Sequence, residues 1–392
     1  MSNRELFHAT MRRETGGSLL HMEQGFNVRY EEWKAQGLPD GVANPEMFGL
    51  SAAPDLFDHL NVAKIAFFGF DQFCQPGFPE ETLAETPQIR RYRNHLGNTY
   101  EVRNDGGWSL PHELDFAVKT LADYMERRDR FRGNVEKRVD WAFLNDAGPR
   151  VCAQEDHVPC VWVHGPFAFL RELLGAQGAM MAPFEEPDLV RTILDDHLEL
   201  AQACAAPVIE ATRADFSFVW EDMCGSSGPL MSRNVFREFS LPWYRRWKRF
   251  LLDTGVPWIM MDTDGDPSAL VDLWLEGGVD CIQPWEVNSS DALRVAREHP
   301  DLALMGGIYK HIFEPDHPSQ AGRFKTNHVP TLIDEELERV VRPLRERGGY
   351  IAGLDHWVHP GVRYPDYVYY CERLAETYGK ANRSLRFLGA CE

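Results

Sequence analysis

Short apolar runs recur along the chain, each breaking off in a small cluster of polar or glycine residues, and most are followed by an apolar period of helical spacing. They fall at Ser18–Gln24, Val62–Phe70, Pro159–His164, Phe216–Glu221, Trp258–Asp262, Cys281–Trp285, Leu302–Gly306 and Tyr350–Leu354. Runs of this length that lack polar alternation are those of strands buried on both faces, and strand alternating with helix implies a parallel sheet. Eight such units predict an α/β fold, a (β/α)₈ TIM barrel. A doubly wound open sheet is the competing architecture, but no GxGxxG or GxxxxGK[ST] follows any run to support its nucleotide-binding form. The helix grammar agrees: Ser232 precedes NVFREFSLPWYRRWKRFLLDTG as an N-cap and Gly255 closes it, while Asp266–Gly277 opens on Asp-Pro and ends in Gly-Gly.

One segment departs from the rhythm. Between the second and third runs, IRRYRNHLGNTYEVRND predicts a hairpin turning at Leu96-Gly97-Asn98, and HELDFAVKTLADYMERRDRF predicts a helix. Residues 72–158 are therefore read as an insertion after the second strand, lying over the barrel mouth, within one TIM-barrel domain spanning 1–392.

Charge and composition then narrow the partners. With 41 Lys+Arg against 60 Asp+Glu the net charge is −19, which repels phosphate backbones and anionic lipid, so no nucleic-acid or membrane partner is expected. The N-terminus has no apolar signal region and no uncharged apolar run could cross a bilayer, which predicts a cytoplasmic protein. The eight cysteines are scattered without a CxxC pair, unlike a zinc ribbon or a disulfide scaffold.

In a barrel of this kind the reactive groups gather at the C-terminal ends of the strands. Read in order, those ends offer His21-Met22-Glu23-Gln24, Asp71, His164, Glu221-Asp222, Asp262-Thr263-Asp264-Gly265-Asp266, Gln283 and Glu286, Gly306-Gly307, and Asp355-His356 with His359 beyond. Such a ring of carboxylates and imidazoles suits acid–base or metal chemistry. Some members have a structural reading as well. Asp222 sits before Gly225 and Gly228 and can cap turns, Asp266 can cap the helix that follows, His164 can be a satisfied core histidine, and His359 a loop residue. Glu221, Asp262, Asp264 and His356 each follow an apolar strand, where a charge costs stability unless it is solvated or paired. Phe26, Trp220, Trp285, Tyr309 and Trp357 are either barrel packing or the walls of a flat aromatic site.

The segments LLHMEQGF, VWEDMCGSSGPLMSRNVFREFSLPWYRRW, IMMDTDGDPSALVDLWLEGGVDCIQPWEV, LALMGGIYK and GGYIAGLDHWVHPGVRYPDYVYYCERL run in order from Ser18 to about Leu374. Together they resemble the uroporphyrinogen decarboxylase-like superfamily, and within it the corrinoid-dependent methyltransferases that include O-demethylases. Two departures refine the resemblance. The first segment reads Met22-Glu23-Gln24-Gly25-Phe26, without the arginines that grip porphyrin carboxylates in true decarboxylases, and the His-x-Cys of thiol-methylating relatives is replaced by Asp262-Thr263-Asp264. The resemblance thus implies the methyl-donor half of the system: a methyl group moves from a donor, read first as a methoxylated aromatic with aliphatic ethers, amines and halides left open, to cob(I)alamin carried on a separate corrinoid protein. Cobalamin belongs to the partner because the chain has no DxHxxG motif. Its nearest string, Asp195 to Leu200, lacks the glycine and falls in a predicted helix. Glu221, Asp262, Asp264 and His356 are the implied catalytic groups, with Glu221, Asp262 and His356 as candidate ligands should zinc be used. His21, Glu23, Phe26, His164, Asp222, Gln283, Trp285 and Asp355 are the implied substrate-binding set, and a homodimer is the implied oligomer. A decarboxylase or lyase on a smaller substrate, and a non-catalytic ligand-binding barrel, are the alternatives.

Overall fold

The structure is a computed structural model that describes residues 1–45, 54–105, 110–153 and 157–378. Among the described residues, the barrel is built from β1 (Leu20–His21), β2 (Lys64–Phe68), β7 (His157–His164), β8 (Phe216–Trp220), β11 (Trp258–Asp262), β12 (Cys281–Gln283), β13 (Ala303–Met305) and β14 (Tyr350–Ala352). The numbers between belong to β3 (Glu81–Glu85), β4 (Ile89–Arg93), β5 (Thr99–Arg103) and β6 (His112–Asp115) in the insertion, and to the two-residue pair β9 (Cys224–Gly225) and β10 (Gly228–Pro229). The eight barrel strands are parallel and hydrogen-bonded in the order β1-β14-β13-β12-β11-β8-β7-β2. A parallel bridge between Met22 and Ala63, with the Ala63 N–H donating to the His21 carbonyl at 2.8 Å, joins the two ends of that order. All eight apolar runs of the sequence lie on these strands.

Side-chain alternation along each strand splits the core into two layers. Leu20, Met22, Ile65, Val158, Cys160, Phe216, Phe218, Met260, Cys281, Ala303, Met305 and Ile351 fill the barrel interior, and Phe7 and Met11 of the helix Asn3–Met11 pack into the same cluster. Phe68, Val161, Val163, Val219, Ile259, Met261 and Ile282 face the outer helices. This double burial is why the strands read as unbroken apolar runs.

The helix after β8 starts where expected, with the Ser232 hydroxyl accepting from the Val235 N–H at 3.3 Å. It is not uniform: residues Phe236–Ser240 wind as a π-turn before Leu241–Asp253 resumes the α-helix. Pro242 has no N–H to offer the preceding turn, which accounts for the local widening. The insertion corrects a second expectation. The hairpin about Leu96-Gly97-Asn98 is present between β4 and β5, but His112–Asp115 is a fourth antiparallel strand rather than the start of a helix. The helix begins at Leu121, where Thr120 and Asp123 form a reciprocal capping box. The small sheet leans on the helix Pro166–Glu185, with Asn98 Nδ2 donating to the Glu172 carbonyl at 2.9 Å and Ala176 N–H to Glu113 at 3.0 Å. No described helix is long and apolar enough to cross a membrane.

Candidate active site

Strand register places the site. His164 is level with Trp220, Trp220 with Asp262, and Asp262 with Gln283. These residues crown β7, β8, β11 and β12, one layer above Trp162, Phe218 and Met260. Over them lies a cavity of about 330 Å³, walled by Ile65, Phe67, Trp162, Phe218, Trp220 and Trp357 and carrying Gln24, Asp222, Asp262, Asp264, Gln283 and His356 as its polar groups. A neighbouring cavity of about 460 Å³ shares Gln24, Ile65, Phe67, His356 and Trp357 with it and extends towards Glu23, Phe26, Lys310 and His359.

The loops after β8 and β11 are locked together, and this fixes the acids. The buried Thr263 hydroxyl accepts from the N–H groups of Met223 and Cys224 at 3.0 and 3.2 Å. Gly265, at φ +76°, brings its backbone so close to the β8 loop that a Cβ there would lie 2.4 Å from the Gly225 carbonyl oxygen. Gly265 N–H donates to Glu286 at 2.9 Å. Asp222 adopts φ +38°, an uncommon conformation for a non-glycine residue, and Arg171 holds its carboxylate at 2.8 Å and its carbonyl at 3.1 Å.

Burial favours the protonated form of both Asp262 and Asp264. Both amides of Gln24 and Gln283 donate to Asp262 Oδ1, at 3.1 and 3.0 Å. Burial, then the charges of Asp264 and Asp222, raise Asp262 well above the ordinary carboxylate range. Burial and the neighbouring Glu286 and Asp222 push Asp264 up to about 7. His356 Nε2 lies 3.8 Å from Asp264, and burial followed by the charge of Lys310 brings the imidazole down to about 4. Near neutrality the group therefore pairs a neutral imidazole with protonated or readily protonated carboxyls.

Other sequence candidates stand elsewhere. Glu221 follows the inward Trp220 and so turns outward. It is fully buried, and its Oε2 accepts from Phe167 and Ala168 N–H at 3.2 and 3.5 Å, at the start of the helix Pro166–Glu185. The structure does not bring it to the cavity, and the trio Glu221, Asp262 and His356 forms no metal-sized cluster among the described residues. His164 is enclosed by the rings of Phe73, Trp162 and Trp220, and burial holds it down at about 3. Asp355 ties two loops, its oxygens accepting from Val287 and Lys310 N–H, both at 2.9 Å. Trp285 is core, its indole donating to the Ile282 carbonyl. His21 and Tyr367 donate to Glu23, whose other oxygen takes the Leu354 N–H at 2.9 Å. Phe26 lines the larger cavity against Trp33, Phe57 and Tyr367. Asp266 caps the turn at Ser268. Asp222, Gln283, Asp262, Asp264 and His356 do converge. Trp162, Phe67 and Arg171 were not picked out from sequence; the first two were findable, because alternation from the inward Cys160 and Ile65 points them into the mouth.

Glu221 yields a prediction of its own. Burial raises it from 4.5 to about 8, so the folded state keeps a proton that the unfolded state has released between those values. Stability falls as pH rises through that window, by up to about 1.4 kcal/mol per pH unit. Glu221→Gln keeps an oxygen acceptor without the ionisation and is expected to flatten the profile. Urea unfolding of both proteins across the window measures this, and parallel profiles would contradict it.

No protein-family model matches the chain, and no curated protein sequence does. Among solved structures it is similar to a methyltransferase from Methanosarcina mazei, with TM-score 0.58 and 13% identity over 97% of this chain and 100% of that one. A Listeria monocytogenes structure assigned as a vitamin-B12 independent methionine synthase aligns with TM-score 0.33 and 14% identity, over 62% of this chain and 68% of that one. At 13% identity the first likeness is one of fold.

Proposed function

We propose that the chain is a methyltransferase that demethylates a methoxylated aromatic compound, passing the methyl group to cob(I)alamin on a corrinoid protein. The observation that carries this reading is the small cavity: a slot walled by tryptophan and phenylalanine rings whose polar groups include two carboxyls that burial makes easier to protonate. An aryl oxide is a poor leaving group unless its oxygen gains a proton as the C–O bond breaks, and the slot offers that proton beside an aromatic binding surface. Asp264 is the group assigned to donate it, with His356 beside it. Asp262, fixed by Gln24 and Gln283, orients the donor. Arg171 keeps the Asp222 carboxylate paired, so the slot does not repel a leaving oxygen with an extra free charge.

Cob(I)alamin supplies the nucleophile that accepts the methyl group. The two cavities have the size of small-ligand pockets, too small to enclose a corrinoid, which supports its being presented by a partner at the mouth. Zinc held by Glu221, Asp262 and His356 does not fit, since these residues do not converge. Among the described residues the small cavity itself is lined by no lysine or arginine, Lys64 and Lys310 lining the larger one, which counts against the alternative reading of a decarboxylase that must grip a carboxylate there.

An anaerobic assay with reduced cob(I)alamin, first free and then on corrinoid proteins, tests the proposal against methoxyaromatics, methylamines and small aliphatic ethers. Methylcobalamin is expected to appear with methoxyaromatics and to need the cavity aromatics, Trp220→Ala lowering the rate tenfold or more. Turnover with amines alone, or decarboxylation without any corrinoid, would sink it.

A further inference from the structure

We propose that His311, Glu314 and His359 form a binding site for one divalent metal ion of the zinc class, at the edge of the larger cavity and separate from the acids of the small one. Among the described residues this is the group of three His, Cys, Asp or Glu whose ligand atoms lie within 4.8 Å of one another. His311 and Glu314 sit three residues apart on the 3₁₀ turn Lys310–Phe313 and its end, where positions i and i+3 eclipse and their side chains share one edge. His359 arrives from the loop after β14 and also lines the larger cavity.

The contacts are those of ligands lacking the atom they share. His359 Nε2 lies 3.2 Å from the Lys310 carbonyl oxygen, a contact that calls for a proton there, so that in the neutral ring the lone pair is on Nδ1. That Nδ1 faces a Glu314 carboxylate oxygen at 3.2 Å, acceptor against acceptor. His311 Nδ1 faces the same oxygen at 3.9 Å, too far for a hydrogen bond, and is buried with no hydrogen-bond partner. A cation between the three turns these mismatched contacts into coordination. Ligand atoms about 3.3 Å apart are what zinc at about 2.0–2.1 Å requires, so the side chains need move by about an ångström. A ring nitrogen bonded to a backbone carbonyl behind it is the usual support of a metal-bound histidine.

Burial lowers the proton affinity of both imidazoles and so favours the neutral, metal-binding form, bringing His311 down to about 4. Gly361 seats Glu314 by its lack of a side chain, since a Cβ there would fall 1.3 Å from the carboxylate oxygen; its N–H donates to His359 Nδ1 at 3.3 Å, a long bond that coordination would have to break. The nearby cations are partly engaged elsewhere: Lys310 Nζ lies 3.9 Å from Glu286, and Arg323 bonds Asn288 and stacks on Tyr309. Two imidazoles and one carboxylate leave a coordination position open, the ligand set of a reactive rather than a closed structural site.

The test uses the full chain, freed of any tag and stripped with a chelator, then titrated with Zn²⁺ and Co²⁺ by calorimetry and visible absorption, with elemental analysis for stoichiometry. One ion per chain is expected, with cobalt bands of low-coordinate geometry and a rise in melting temperature on zinc addition. His311→Ala, His359→Ala and Glu314→Gln should each weaken binding about 100-fold or more, and Gly361→Ala about tenfold by displacing Glu314. Asp264→Asn should bind as the parent protein does. Circular dichroism identifies any variant that fails to fold. Glu314→Gln, nearly isosteric, carries the decision if the histidine variants do. Substoichiometric uptake, or undiminished affinity in Glu314→Gln, overturns the site. None of these readouts involves methyl transfer, so this inference and the proposed function stand or fall separately.

Discussion

Asp264→Asn is expected to lower kcat/KM for methyl transfer about 10²–10⁴-fold, the range lost when a positioned general acid is removed, while donor binding changes only a few-fold. The parent enzyme should show the matching pH dependence. Asp264, pushed to about 7, is the proton donor only while protonated, so kcat/KM should hold below that value and fall about tenfold per unit above it. In the variant that descent should vanish along with most of the rate. The charged and titratable groups around it, Glu286, Asp222, Lys310 and Arg171, set the inflection, and Lys310→Met should move it upward by removing a favourable charge. A parent profile that stays flat through neutrality would remove Asp264 from the role of acid.

Glu23→Ala should produce the largest loss of stability. Its carboxylate is buried at the junction of β1, β14 and the helix Tyr364–Tyr378, accepting from His21 Nε2 at 2.9 Å, Tyr367 hydroxyl at 3.0 Å and Leu354 N–H at 2.9 Å. Truncation leaves three donors without an acceptor, beside the seam where the barrel closes. The cost is about 3–5 kcal/mol, in the range for breaking a buried polar network. Equilibrium urea unfolding reads it directly. Glu23→Gln, which restores an acceptor but loses the charge, should recover part of the loss. An alanine variant within about 1 kcal/mol of the parent would mean that the network adds little to stability. Since both carboxylate oxygens are already engaged, Glu23 acts on a ligand through position, as part of the wall of the larger cavity, more than by offering a free charge.

The sequence made much of the site legible and misassigned part of it for one recurring reason. Every barrel strand was visible as an apolar run, and the polar residues at the ends of those runs include Asp222, Asp262, Asp264, Gln283 and His356, which the fold does gather. A run's end alone does not say which way its last side chain turns. Phe216, Phe218 and Trp220 point inward, so Glu221 must point outward, where it meets the helix Pro166–Glu185 instead of a substrate. Trp162 and Phe67 were missed for a different reason: alternation along their own strands points them inward, but both read as packing. The His311–Glu314–His359 group was hidden more deeply, because its third member comes from another loop, separated from the pair by β14.

What the sequence by itself determined is a parallel sheet of eight short apolar strands alternating with amphipathic helices; the bridge between Met22 and Ala63, visible only in three dimensions, decides for the closed barrel over the doubly wound sheet. It also determined where polar chemistry could gather, since charges tolerated at strand ends are those the mouth can solvate or pair. Only the tertiary structure decided which of those charges face the same space. That depends on register between strands far apart in the chain, on Thr263 and Gly265 binding two loops together, and on burial that makes Asp262 and Asp264 easier to protonate. Each is a property of distances between segments, and a linear pattern carries no distances beyond its own helix or strand.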